Sequence, residues 1–162
     1  MVYFGLFHSI MCYGCIFWGS STLCNKVFKA QKAAIRIMNG QERDQSGRPL
    51  TCRPLFKKFG ILPLPSVYIL ETVKFVLNND KDYERFDSVH THDTRGNGRY
   101  MLPGHRTTLF SKNVFYSGVK LINSLPITMR SGSSKCCLQR LGSVLMANSI
   151  YSINEFMMHN FE

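Results

Sequence analysis

The stretch CRPLFKKFGILPLPSVYIL, from Cys52 to Leu70, joins a cationic segment to an apolar one. Three basic side chains, Arg53, Lys57 and Lys58, lie close together at its start. No charged residue follows from position 59 through position 70. The pattern predicts a cationic turn that leads directly into an apolar helix, and the rest of the chain indicates what such an arrangement is for.

Two helices are predicted within and after this stretch. Pro54 fits the first turn of a short helix that ends near Phe59. Ser66 can cap a longer helix that runs to about Asn78. Because apolar residues lie on nearly every side of the longer helix, we expect it at the centre of the core.

The clearest amphipathic helix is predicted before the stretch. Asn25 can cap a helix that runs to about Asn39, where Gly40 provides the stop. Basic side chains occupy one side of its helical wheel, which is also what a solvated helix face shows. The opposite half is apolar and is expected to face the core, with Val27, Phe28, Ala30, Ala34, Ile35, Ile37 and Met38.

The second half of the chain adds one long irregular segment and further helices. Residues 90–106 contain Gly or Pro at four positions and show no helical period. We expect a long loop there, or short β-strands near residues 90–110. Three more helices are predicted from cap residues at their starts: Ser111 or Asn113, Ser133–Ser134, and the capping box of Ser152 with Glu155.

These elements predict a mainly α chain built as one irregular helical bundle. Its 162 residues, of which 44% are hydrophobic, are enough for a single core. The sequence contains no paired aspartates, phosphate loop, metalloprotease helix or nucleophile elbow, so we expect no enzymatic activity and no cofactor.

The charge of the chain favours polyanionic partners. Twenty Lys and Arg against ten Asp and Glu give a formal net charge of +10. Residues 26–60 hold nine basic and two acidic side chains, and residues 95–140 hold eight basic and no acidic ones. An acidic block, residues 61–94, separates them. Such an excess favours nucleic acid first and an anionic membrane surface second, provided that the fold brings the basic blocks together.

The first 24 residues are uncharged, and two interpretations are open for them. A segment of this length could cross a bilayer, which would make residues 3–24 a membrane anchor. It has no basic region at its start, and glycine, serine and histidine dilute its hydrophobicity. We therefore favour a buried helix.

The six cysteines indicate an intracellular protein, because they are too few and too irregular for a secreted disulfide scaffold. Cys12, Cys15 and Cys24, with His8, could suggest a zinc site, but no second close-spaced pair of ligands follows. We predict buried thiols and no bound metal. The sequence HTHD, residues 90–93, could donate metal ligands, but we interpret it as a polar loop whose imidazoles bond to the backbone or to phosphate.

Several motifs occur in an order that is known from one family. They are YGCIFWG at 13–19, VFKAQKAAIRIMNG at 27–40, the opening stretch, HTHDTRGN at 90–97, GHR at 104–106, GVKLINSLP at 118–126 and YSINEF at 151–156. Together they resemble the C-terminal part of reverse transcriptases from jockey-like non-LTR retrotransposons of the LINE type. The resemblance covers residues 8–161, nearly the whole chain.

The resemblance implies a fragment of an RNA-directed DNA polymerase. In that family the catalytic Asp-Asp box and the endonuclease lie upstream of the region matched here. Residues 1–60 would correspond to a basic, thumb-like helical part. Residues 61–162 would be the helical segment after the thumb, with a loop over 80–110. Such a module is thought to hold the template–primer duplex without performing catalysis.

We therefore predict a nuclear or cytoplasmic module that binds RNA or DNA through phosphate contacts and takes no small-molecule substrate. Two alternatives are a remnant of a decayed element without specific activity and a small membrane-anchored protein. His90 and Tyr100 are expected to stack on or bond to bases or sugars. The complete candidate set is Lys29, Lys32, Arg36, Arg53, Lys57, Lys58, His90, Arg95, Arg99, Tyr100 and Arg106.

Overall fold

Helices form most of the chain in the computed structural model, which describes residues 2–41, 43, 46–86 and 98–161. The mainly α prediction is confirmed. The helical elements are a π-helix at Tyr3–His8, α1 (Ser9–Cys12), α2 (Cys15–Trp18), α3 (Cys24–Met38), α4 (Cys52–Phe59), α5 (Leu64–Asn78), a 3-10 helix at Asp80–Asp82, α6 (Thr108–Ser111), α7 (Val114–Ser124), α8 (Ile127–Arg130), α9 (Ser134–Asn148) and α10 (Ile153–Met157).

Extended pairing is limited, over the described ranges, to two isolated antiparallel bridges. One joins Arg43 to Pro49 and the other joins Arg85 to Tyr100. The strands expected near residues 90–110 are therefore absent from 98–110, and residues 87–97 of the expected loop lie outside the described part of the chain.

The chain forms two compact units, and the division differs from the expected one at residue 60. The first unit comprises Met1–Tyr68 and Ser143–Phe156. The second comprises Ile69–Gly142 and Met157–Glu162. The first unit also contains a segment from near the end of the chain, which the expected division placed with residues 61–162.

The first unit contains a fully buried glutamine that makes three hydrogen bonds. Gln31, on α3, is fully buried, and its amide nitrogen donates to the hydroxyl of Tyr3 and to the carbonyl of Leu62, both at 2.9 Å. Its amide oxygen accepts from the backbone N–H of Leu64 at 2.8 Å. Gln31 therefore connects α3 to the N-terminal segment and to the start of α5.

The buried face of α3 differs from the apolar half predicted for it. Phe28, Gln31 and Ile35 are its buried residues, whereas Ile37 is 62% exposed and Met38 is 43% exposed. The predicted cap at Asn25 is also wrong, because Asn25 lies inside α3, which begins at Cys24 and has no side-chain cap. The predicted stop is confirmed: Gly40 has a φ of +74°, which favours glycine.

The start of α5 is capped by tertiary structure. Ser66 lies inside the helix, and its hydroxyl donates to the carbonyl of Ile150 at 3.1 Å, so its prediction as a cap is wrong. The oxygen of Gln31 satisfies the N–H of Leu64 in its place. Pro65 needs no such partner because it has no N–H.

The N-terminal segment is not the single buried helix expected from its composition. The backbone turns at Gly14, which has a φ of +61° and separates α1 from α2. Large side chains remain exposed on this segment: Val2, Phe4, Leu6, Ile10, Tyr13 and Phe17. Among the described residues, no single helix is long and apolar enough to cross a membrane. Only the bent pair of α4 and α5, counted together, reaches the length and hydrophobicity of a span.

In the second unit, α7 approaches α5 closely at a glycine. Asn113 caps α7 as predicted, since its side chain accepts from the N–H of Phe115. A Cβ atom at Gly118 would lie 2.5 Å from Cγ2 of Val76 and 3.3 Å from Cγ2 of Thr72. The absence of a side chain at this position is what allows the two helices to pack.

Replacing Gly118 by Ala is expected to destabilise the protein by about 1–2 kcal/mol, because the overlap with Val76 outweighs the better helix propensity of alanine. Gly142→Ala is the matched control, since a Cβ atom at Gly142 on α9 would meet nothing within 4 Å. The control should gain roughly 0.5–1 kcal/mol. Urea unfolding measures both changes, and equal signs for the two variants would contradict the close approach.

Candidate nucleic-acid interface

Three segments of the first unit bring two predicted cations onto one aromatic ring. The guanidinium carbon of Arg53 lies 4.5 Å from the ring centroid of Tyr151. The ammonium of Lys32 lies 5.7 Å from the same centroid and 4.5 Å from that of Phe28. Helix α3 supplies Lys32, α4 supplies Arg53, and the segment before α10 supplies Tyr151. We call α3 and α4 the basic helix pair.

The Tyr151 ring is held in place by other aromatic rings. It packs edge-on against Phe28 at 5.0 Å and against Phe56 at 6.0 Å between centroids. Burial raises the pKa of Tyr151 to about 12, so the phenol stays neutral beside the two cations. The ring is thus a rigid support from which Lys32 and Arg53 extend. Pre-positioned cations of this kind lose less side-chain entropy when they bind an anion.

Arg53 also has a carboxylate partner that the sequence did not reveal. Its guanidinium lies 2.7 Å from a carboxylate oxygen of Glu155, with side chains that are 48% and 33% exposed. The hydrogen bond to Glu155 raises the pKa of Arg53, which remains charged. Exposed pairs of this kind contribute only about 0–1 kcal/mol, so a phosphate can compete for the guanidinium.

The predicted capping box is confirmed in one of its two bonds. The N–H of Glu155 donates to the hydroxyl of Ser152 at 3.0 Å. The carboxylate of Glu155 accepts from the N–H of Tyr151 at 2.9 Å, one residue before the expected position. The same carboxylate therefore orients Tyr151 and Arg53 together.

The other predicted residues of the basic helix pair differ in how firmly they are held. The ammonium of Lys58 donates to the side-chain oxygen of Asn39 at 2.7 Å, and Arg36 donates to the carbonyl of Leu50 at 3.4 Å. Lys29 and Lys57 are exposed and make no side-chain bond to another residue in the described ranges. Both are free to contact a phosphate group.

The second unit holds the remaining described candidates, and one of them requires a correction. Arg99 and Arg106 are exposed. Tyr100 is only 2% exposed; its hydroxyl donates to Asp80 and accepts from Arg85 at 2.8 Å. Burial raises its pKa to about 12. A ring enclosed in this way cannot stack on a base, so the role predicted for Tyr100 is wrong in this structure.

His90 and Arg95 lie outside the described residues, and their predicted roles stay predictions. The structure therefore brings Lys32 and Arg53 together and places the other four basic candidates of the first unit on the same helix pair. Tyr151 and Glu155 were missed as site residues. The motif that contains them was recognised, but only tertiary structure shows that it contacts Arg53.

The cysteines in the described ranges do not form a metal-binding site. No group of three or more His, Cys, Asp or Glu side chains that could hold a metal ion occurs there. The sulfur of Cys12 lies 3.4 Å from Nε2 of His8, and all six cysteines are free thiols. Cys52 connects the basic helix pair, since its thiol donates to the carbonyl of Lys32 at 3.7 Å.

Comparison with known proteins returns no relative: no family model, no curated protein and no solved structure matches the chain.

Proposed function

We propose that the chain is a nucleic-acid-binding module whose basic helix pair holds a phosphate backbone. The observation that carries the proposal is the convergence of Lys32 and Arg53 on the Tyr151 ring, from three segments of one packed unit. Cations fixed to a core position a duplex, whereas mobile lysines only attract it. A net charge of +10 supports a polyanionic partner.

The resemblance to the thumb and post-thumb region of LINE-type reverse transcriptases supports the same function. A template–primer duplex presents two phosphate backbones to the protein that binds it. Holding the duplex through these phosphates requires no catalysis by the module. On this proposal the chain holds RNA or DNA without extending it. The opening stretch then has a clear role, because α4 carries the cations and α5 belongs to the apolar part that fixes them.

The proposal is tested by the salt dependence of binding to a DNA–RNA hybrid. Each phosphate neutralised contributes about one unit to the slope of log affinity against log salt. Changing Arg53, Lys57 and Lys58 together to Gln is expected to reduce the slope by about two to three units. The value nearer two applies if Glu155 already neutralises Arg53 in the free protein.

Two controls sharpen this test. Changing Lys74, Lys112 and Lys120 to Gln removes the same charge from the second unit and should leave the slope within about one unit. Glu155→Gln releases Arg53 and should increase the slope by about one unit. Equal slope losses for both triple variants would show that net charge, and not the basic helix pair, determines binding.

A further inference from the structure

The second unit contains a polar cavity that the nucleic-acid proposal does not use. Its volume is about 110 Å³, and its lining includes Arg85, Arg130, Tyr100, Asp80 and Ser134. The volume of a water molecule in the liquid is about 30 Å³, so the cavity has room for several waters or for one compact polyatomic anion.

Arg130 is the unusual member of this lining. It is partly buried, and its guanidinium donates to two backbone carbonyls, those of Leu125 at 3.0 Å and of Gly98. Among the described residues it has no carboxylate partner. Desolvation lowers the pKa of Arg130, and the nearby cations Arg99 and Arg85 lower it further. A partly desolvated guanidinium near other cations is stabilised by an anion.

Asp80 is the one carboxylate among the described residues of the lining, and it is already occupied. Asp80 accepts from Arg85 at 2.6 Å and from the hydroxyl of Tyr100. Desolvation opposes ionisation of this carboxyl, but the bonds from Arg85 and Tyr100 prevail and lower the pKa of Asp80. Asp80 therefore pairs with Arg85 and not with Arg130, which has no carboxylate partner among the described residues.

We propose that this cavity binds a phosphate group, with Arg130 as the principal ligand and Arg85 as the second cation. Guanidinium groups match the oxygens of phosphate by paired hydrogen bonds, and a tetrahedral anion suits the available volume. The phosphate comes from a free phosphate or phosphomonoester, or from a nucleic-acid backbone. The site contains no residue of the basic helix pair, so it can be tested independently of the proposed function.

The site is tested by following the thermal midpoint while inorganic phosphate replaces chloride at constant ionic strength. A ligand that binds the folded state raises the midpoint, and the rise grows with the logarithm of its concentration relative to its Kd. We expect a phosphate-specific rise for the wild-type protein. Arg130→Gln should weaken phosphate binding about ten- to hundredfold and abolish the rise.

A second variant keeps the test decisive if Arg130→Gln fails to fold. Ser134 is exposed on the first turn of α9, where an acidic residue is favourable, and it lines the cavity. Ser134→Asp should therefore fold, supply the missing anion and abolish the phosphate-specific rise. Gln139→Glu adds the same charge to an exposed position of α9 outside the lining, and should retain the rise.

The source of the phosphate is assigned by competition. Inorganic phosphate that displaces a DNA–RNA hybrid from the wild-type protein but not from Ser134→Asp identifies the nucleic-acid backbone as the ligand. Phosphate that binds the wild-type protein without displacing the hybrid identifies a free phosphate or phosphomonoester. The same midpoint in phosphate and chloride for the wild-type protein, or an equal rise in Ser134→Asp, would overturn the proposal.

Discussion

Gln31→Met is expected to destabilise the protein by roughly 3–5 kcal/mol, although the two side chains have similar length. Methionine would leave three partners of Gln31 unsatisfied: the hydroxyl of Tyr3, the carbonyl of Leu62 and the N–H of Leu64. A buried polar group that loses its partner costs about 1–3 kcal/mol. Since domains are stable by only about 5–15 kcal/mol, this change removes a large share of the folding free energy.

Urea unfolding followed by circular dichroism measures the effect. Gln139→Met, at an exposed position of α9, is the matched control and should change stability by no more than about 0.5 kcal/mol. Tyr3→Phe removes one of the three partners, so a double-mutant cycle with Gln31→Met should show a clear coupling energy. Similar losses for Gln31→Met and Gln139→Met would show that Gln31 does not organise the core.

Phe56→Ala is expected to cost about 3–5 kcal/mol, because it leaves a cavity under the aromatic support of the basic helix pair. Phe56 is fully buried, and its ring packs against those of Phe28 at 6.3 Å and Tyr151 at 6.0 Å between centroids. Removing this ring from α4 deletes its contacts with α3 and with the segment that carries Tyr151. The loss should appear in the unfolding midpoint.

Phe17→Ala is the matched control for this variant, since Phe17 is 75% exposed and should change stability by less than about 0.5 kcal/mol. Binding gives a second measurement at temperatures where Phe56→Ala is still folded. The variant should bind a DNA–RNA hybrid more weakly with an unchanged salt slope, because the cations remain but their support is looser. A normal affinity in the folded variant would show that the rigidity of Tyr151 is not needed for binding.

The two stability predictions and the proposed interface depend on the same part of the molecule. Gln31 holds α3 against the start of α5, and Phe56 holds α4 against Tyr151. Lys32 and Arg53 extend from this packed region toward one ring. We therefore expect binding affinity to respond to changes in the core of the first unit, and not only to changes in its surface charge.

Local signals in the sequence were sufficient for the longer helices after residue 24 and for several of their ends. The predicted stop at Gly40 is left-handed, as glycine permits, α4 ends at Phe59 as predicted, and Asn113 caps α7 as predicted. Ser133 also caps α9, since its hydroxyl accepts from the N–H of Cys136. Each of these features depends on residues within about one helical turn, so the composition of a short window contains the necessary information.

The sequence by itself therefore determined the helical class, the longer helices after residue 24, several helix ends and which residues carry the positive charge. Only the tertiary structure decided which polar side chains are buried and which cations meet. Gln31 follows the helical period like any polar residue, but its partners lie about 30 positions away in the chain. The sequence predicts an exposed aromatic residue at Tyr100, whereas in the structure Asp80 and Arg85 bind its hydroxyl. Tyr151 reaches Arg53 from the far end of the chain. The physical reason is the same in all three cases: burying a polar group is favourable only when a partner is present, and these partners are brought close by folding, not by sequence.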